Sequence, residues 1–290
     1  MPLVGLGVFQ LEEGEQVENA VITALTNGYR SIDTAYVYHN EEGVGRAIKA
    51  SGVSREDIFI TTKVGLEQQG YISTKEAFYQ SLRFLQTEYL DLYLIHWPQG
   101  KRSLETWKAM EELYAEGLNH DIHHLQYLLS NSKVKPAVNQ VELHPQHSQP
   151  ELLQYCISKN IQVVAWSPLR QGTALTIPDI KDIASRYKKS PAQIILRWNI
   201  QKGVVTIPRS RSAERIISNS QIFDFELSEA DMLQIDNLNQ DQPMVNRRDR
   251  IIHLLEMLRS EKFDLRLLQL LSYAVGDRLQ ETFNFKTSGQ

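Results

Sequence analysis

Asp33, Tyr38, Lys63 and His96 supply a carboxylate, a phenol, an ammonium and an imidazole, each near the end of an apolar or β-branched run. The runs read YRSIDTAYVY, DIFITTKV and LDLYLIHWP. Such runs suit strands buried on both faces. In a parallel α/β barrel the C-terminal ends of the strands line one face, and catalysis sits there. Four groups able to hold or move a proton, converging on that face, would deliver a proton to a substrate. The pattern points to an enzyme.

The elements that must position these residues alternate along the chain, as in parallel βαβ units. The pattern predicts helix 14–27, strand 31–33, helix 41–50, strand 58–63, helix 74–85, strand 90–96 and helix 104–116. After Gly117 the segment LNHDIHHLQYLLSNS is again helical in pattern, with no strand before it. There follow strand 137–142, helix 149–159, strand 162–166, helices 180–187 and 191–201, strand 204–208 and helix 212–219. Asn27-Gly28 and Gly203 are natural helix-ending residues. Ser190-Pro191, and Ser228 three residues before Asp231, read as helix starts.

Composition narrows the function. The chain has 290 residues, 42% hydrophobic and 23% charged, ordinary values for a globular protein that buries a large core. A net charge of −4 and no Lys/Arg block argue against nucleic acid or an acidic membrane as partner. The single cysteine, Cys156, cannot form an internal disulfide and is expected to pack in a helix. The opening MPLVGLGVFQ has no signal-peptide pattern, and no run approaches the ~18 apolar residues of a membrane span, so a cytoplasmic location is expected. Gly43-Val44-Gly45 begins like a dinucleotide fingerprint, but the third glycine is absent and no strand leads into it. His120 and His124 have helical spacing, yet no third ligand can be argued beside His123, His144 or His147, and no metal is expected.

Eight segments in order carry a family resemblance: MPLVGLGVFQ, GYRSIDTAYVYHNEEGVGRAI, FITTKV, YLDLYLIHWP, KPAVNQVELHP, VVAWSPL, SPAQIILRW and GVVTIPRS. From Met1 to Gln240 the chain resembles the aldo-keto reductases, close to the bacterial branch that reduces small aldehydes and dicarbonyls. The resemblance implies a (β/α)8 TIM barrel over residues 1–240 that binds NADPH without a Rossmann fold. It implies hydride transfer to a carbonyl carbon, with Tyr38 as proton donor. A phenol of pKa about 10 is a reluctant acid and base at neutral pH. Lys63, paired with Asp33, is expected to lower that pKa. His96 matches the residue that orients the carbonyl and stabilises charge developing on its oxygen.

The segment IPRSRSAERIISN resembles the family's site for the adenosine 2′-phosphate. The resemblance places Arg209, Ser210 and Arg215 on that phosphate and Asn219 on the adenine. Two guanidiniums suit a phosphate dianion and favour NADPH over NADH. Arg209 stands where many relatives have lysine, and Ser218 where a carboxylate often lies. By the same resemblance Trp166 stacks on the nicotinamide, Gln140 contacts its carboxamide, and Ser167 and Leu169 lie along the pyrophosphate. Phe9 and Trp97 match walls of the pocket for a small-molecule carbonyl substrate.

Two segments depart from the family. After Gly117 the fifth strand, typically VRAIGVSN, is absent; its Ser-Asn pair normally holds the carboxamide, and Asn119 is the nearest remnant. Three outcomes follow: a barrel closed by seven strands, residues 118–122 drafted as a short strand, or poor folding. The second departure is the tail, 241–290, where Ile251, Leu255 and Leu258, then Leu265, Leu268 and Leu271, predict amphipathic helices. These would pack on their own chain, leaving a monomer, or support a tail-mediated dimer. The leading expectation is an NADPH-dependent reductase. The alternative is a catalytically impaired relative acting as a binding or scaffold protein.

Overall fold

The computed structural model describes residues 1–99, 101–115 and 134–244. The expected alternation is present. It runs β1 (Leu6–Gly7), α1 (Glu15–Thr26), β2 (Ser31–Asp33), α2 (Glu41–Ser51), β3 (Phe59–Val64), α3 (Tyr71–Leu85), β4 (Leu92–Ile95) and α4 (Lys101–Ala115). It continues with β5 (Val138–Glu142), α5 (Pro150–Ser158), β6 (Gln162–Trp166), α6 (Pro178–Tyr187), α7 (Pro191–Gln201), β7 (Val205–Thr206), α8 (Ala213–Ser220) and α9 (Glu229–Asp236).

Among the described residues every pairing between these strands is parallel, in a sheet of order β1-β2-β3-β4 and a second of order β5-β6-β7. Backbone bonds sew β7 to β1: Gly5 N–H donates to Thr206 O at 2.9 Å, Thr206 N–H to Leu3 O at 2.9 Å and Gly7 N–H to Pro208 O at 3.2 Å. Leu92 and Leu94 of β4 share one buried cluster with Val138, Val164, Val205 and Ile207, so both sheets face a common interior. Two larger apolar clusters lie between strands and helices. The expectation of a missing or distorted fifth strand falls on residues 116–133, outside the described residues. Met1–Gln242 form one compact unit, and the expected tail helices also lie outside the described residues.

Local sequence explains the helix ends. Ser190, Ser212 and Ser228 each accept the backbone N–H three residues on, capping α7, α8 and α9. At α7 Gln193 returns a bond to the Ser190 N–H, completing a capping box. Such a cap typically contributes about 1 kcal/mol. Helices α3 and α4 begin three residues before the expected 74 and 104. In α3 the extra turn presents Ile72, 70% exposed, and so carries no apolar periodicity. β1 was not expected as a strand, because Leu6–Gly7 is too short to form an apolar, β-branched run.

The Gly43-Val44-Gly45 motif serves packing. A Cβ on Gly45 would stand 2.7 Å from the Leu85 carbonyl and 2.8 Å from Phe84 O, so α2 crosses the end of α3 at backbone contact. Gly45→Ala should therefore destabilise by about 1–3 kcal/mol through overpacking. This opposes the roughly 1 kcal/mol that alanine gains in an open helix. A lowered urea midpoint checks it; a raised midpoint refutes the contact.

Candidate active site

The C-terminal ends of β2, β3 and β4 bring the four expected residues together. Asp33 closes β2, Lys63 is next to last in β3, and His96 follows β4 with its N–H bonded to Val64 O at 3.3 Å. Tyr38 is not on a strand, as the run YRSIDTAYVY suggests; it ends a 3-10 turn, Tyr36–Tyr38. The strand stops at Asp33, and Asn40 fastens the turn. Its amide donates to Val8 O at 3.0 Å and Leu11 O at 2.9 Å, while its carbonyl accepts from Thr34 Oγ1 at 2.9 Å. Asn40 is fully buried and was missed in the sequence, where it reads as an ordinary helix cap; its side chain makes no cap bond.

Lys63 Nζ is the hub. It donates to Asp33 Oδ1 at 2.6 Å, to Thr34 O at 2.8 Å and to Tyr38 Oη at 3.5 Å, which employs all three ammonium protons. Asp33 and Lys63 are both buried. The other carboxylate oxygen, Asp33 Oδ2, accepts from Gln140 Nε2 of β5 at 2.7 Å. Behind β3, the buried Glu41 accepts from Thr62 Oγ1 at 2.6 Å and Ser81 Oγ at 3.3 Å. Its pKa is raised by burial, with both hydroxyls and Lys63 opposing.

The electrostatics correct one expectation. Burial raises the Tyr38 pKa, and although Lys63 pulls it down, Asp33 pushes it back up, so the net shift is upward rather than downward. The phenol is thereby held protonated at neutral pH. For Lys63, burial opposes the ammonium, but Asp33 and Tyr38 outweigh it and its pKa rises. Burial, assisted by Lys63, lowers His96 to about 3, which leaves a neutral imidazole.

Aromatic rings surround this group. Phe9 lies 5.0 Å from the Tyr38 ring centroid, and His96 meets Tyr38 edge-on at 5.5 Å. Trp97 stacks on His96 at 6.3 Å and meets Trp166 edge-on at 6.2 Å. The fully buried Gln69 holds the Trp97 loop, donating to Trp97 O at 2.6 Å. No local pattern announces Gln69, because its partner lies 28 residues away.

The remaining expected residues line β6, β7 and the segments that follow them. Trp166 ends β6, Ser167 adopts a left-handed φ of 48°, and Leu169 precedes a 3-10 turn, Arg170–Thr176. Half-buried Arg209 and buried Ser210 follow β7, while exposed Arg215 and buried Asn219 lie on α8. Burial and the neighbouring Arg211 lower the Arg209 pKa. Arg211, missed in the sequence, donates to Gln10 O at 3.0 Å. Among the described residues no carboxylate pairs with Arg209, Arg211 or Arg215. Cys156 is buried, and Asn119, His120, His123 and His124 lie outside the described residues. Among the described residues, no group of three or more His, Cys, Asp or Glu side chains is placed to hold a metal ion.

Comparison with known proteins gives the family. The aldo/keto reductase family model matches residues 3–240. Glyoxal reductase of Bacillus subtilis is 52% identical over 259 residues, covering 87% of this chain and 94% of the relative. Methylglyoxal reductase DkgA of Escherichia coli is 44% identical over 251 residues, covering 83% and 90%. A crystal structure of an aldo-keto reductase from a deep-sea metagenome superposes with a TM-score of 0.82 at 44% identity, covering 85% of this chain and 94% of that one. The Bombyx mori aldo-keto reductase in complex with NADP gives 0.79 at 33% identity, covering 86% and 92%. With its parallel strands, its converging tetrad and these matches, the chain belongs to the aldo/keto reductase family and has its (β/α)8 fold.

Proposed function

We propose that this protein is an oxidoreductase that uses NADPH to reduce small aldehydes, ketones and dicarbonyls to alcohols, with Tyr38 as the proton donor. The observation that carries the reading is the Asp33–Lys63–Tyr38 chain, which places a protonated phenol beside a fixed ammonium. The curated relatives named for glyoxal and methylglyoxal reduction support the substrate class.

The residues present fit the cofactor. Arg209 and the neighbouring Arg211, with Arg215 further along the same segment and no carboxylate partner to any of them among the described residues, supply cations suited to the 2′-phosphate that distinguishes NADPH from NADH. Ser210 and Asn219 would assist there, Ser167 and Leu169 would follow the pyrophosphate, and Trp166 and Gln140 would hold the nicotinamide. When bound, NADPH supplies the hydride that reduces the carbonyl carbon. His96, neutral, orients the carbonyl oxygen by a hydrogen bond, and Tyr38 gives that oxygen its proton. The phenolate left behind is stabilised by Lys63. Phe9 and Trp97 wall the substrate and exclude water.

A scaffold role finds no support, since all four tetrad residues are present and assembled. Among the described residues no helix is long and apolar enough to cross a membrane. The single cysteine and the net charge of −4 favour a cytoplasmic enzyme acting on small molecules. The choice between monomer and tail-mediated dimer rests on residues outside those described.

Three outcomes test this reading. Tyr38→Phe should lower NADPH-dependent methylglyoxal reduction by about 10²–10⁴-fold while leaving NADPH quenching of tryptophan fluorescence intact; undiminished turnover would show that the acid is another group. Arg209→Ala combined with Arg215→Ala should raise the Kd for NADPH far more than that for NADH, and equal effects would remove the 2′-phosphate assignment. His96 titrates at about 3 when folded against an ordinary 6.5, so between those values the unfolded chain binds a proton that the folded chain does not. Stability is thus lost as pH falls through that window, and the Tm of His96→Asn should fall less steeply than that of the wild type between neutral pH and about pH 4.

A further inference from the structure

Asp33 has two oxygens and two side-chain donors. Oδ1 takes the Lys63 ammonium and Oδ2 takes the Gln140 amide. The carboxylate is 5% exposed, so removal of Gln140 would leave Oδ2 a buried charged acceptor without a protein donor. Asp33 belongs to the four-stranded sheet and Gln140 to the three-stranded one, so the bond spans the barrel interior. Gln140 stands opposite Val164 on β6, and two residues on, Glu142 stands opposite Trp166. The amide therefore links the tetrad to the strand pair that presents Trp166.

We infer that Gln140 is a positioning residue for proton transfer: its amide fixes the Asp33 carboxylate, and thereby holds Lys63 where it governs Tyr38. The inference rests on Tyr38 being the proton donor. A neutral amide suits the place. A carboxylate would repel Asp33, an ammonium would compete with Lys63, and an aliphatic side chain would offer no donor. The charged groups around Tyr38 are Lys63 from β3 and Asp33 from β2, with the neutral His96 after β4; Glu41 on α2 reaches Lys63 from behind β3. The positive end of the amide dipole lies on Asp33. Without it the full negative field of the carboxylate falls on Tyr38 and pairs more tightly with Lys63, and both effects make the phenol a weaker acid.

The test is an NMR titration of protein carrying 13Cζ-labelled tyrosine, with the Tyr38 resonance assigned by its absence in Tyr38→Phe. Gln140→Leu should move the Tyr38 midpoint upward by about one pH unit. Gln140→Glu should move it further, through the added like charge. With methylglyoxal and NADPH, kcat of Gln140→Leu should fall about tenfold at neutral pH. A raised Kd for NADPH with the Tyr38 midpoint unmoved would overturn the inference and leave Gln140 a cofactor contact alone. A lowered Tm with an unmoved midpoint in either variant would reduce it to a structural residue. Should Gln140→Leu fail to fold, the midpoint in Gln140→Met, which likewise lacks the donor and adds no charge, decides. The titration needs no turnover. A wild type inactive on every carbonyl would therefore refute the reductase reading, while the midpoints still decide the role of Gln140.

Discussion

The Lys63–Asp33 ion pair is the constraint around which the rest of the site is arranged. Both groups are buried, and two charges taken out of water cost several kcal/mol each unless their remaining hydrogen-bonding capacity is filled. Here it is filled. The ammonium reaches Asp33, Thr34 O and Tyr38, and the second carboxylate oxygen reaches Gln140. An ion pair so enclosed contributes little to net stability, but it fixes direction: a proton on Lys63 points at the phenol. Burial keeps Tyr38 protonated, while the same ammonium favours the phenolate and so opposes the upward shift.

The scaffold divides this work between strands and loops. β2 and β3 carry the pair on adjacent parallel strands, where the register aligns Asp33 with Thr61 and Lys63 with Leu94 of the next strand. Strand positions of this kind are held by backbone bonds and interior packing, which suits groups whose separation must stay near 2.6 Å. The rings that would meet substrate, Phe9 and Trp97, stand instead on loops, each braced by a buried amide: Asn40 beneath the first and Gln69 beneath the second.

Much of this was legible in the chain. The apolar, β-branched runs and the period-3.6 patterns locate most elements within a few residues, because buried parallel strands and amphipathic helices advertise themselves through side-chain type. The meeting of the four residues was legible because Asp33, Lys63 and His96 sit at or just past strand ends, while Tyr38 was read onto a strand-like run though it ends a 3-10 turn. Other features were hidden for physical reasons. β1 is too short for a pattern. The first turn of α3 buries too little to register. Gly45 looks like half of a nucleotide motif because the sequence does not reveal that Leu85 lies against it. The sign of the Tyr38 shift was misread, since pairwise reasoning from Lys63 omits the desolvation that burial adds. The Gln140–Asp33 bond joins residues 107 apart, beyond the reach of any local rule.

The clamp made by Asn40 has a consequence for how such an enzyme can change. Its side chain, buried from water, ties the Tyr38 turn to the β1 loop by two bonds and to Thr34 after β2 by a third, so the Tyr38 turn and the Phe9 loop open together. Amide exchange in this stretch should then follow global unfolding rather than local fraying. A mutation that reshapes the Phe9 side of the pocket also disturbs the Tyr38 turn, and one at Trp97 acts on the His96 ring stacked against it. Both walls of the pocket are thus built into the same group of side chains as the tetrad, and neither can be redrawn without touching it.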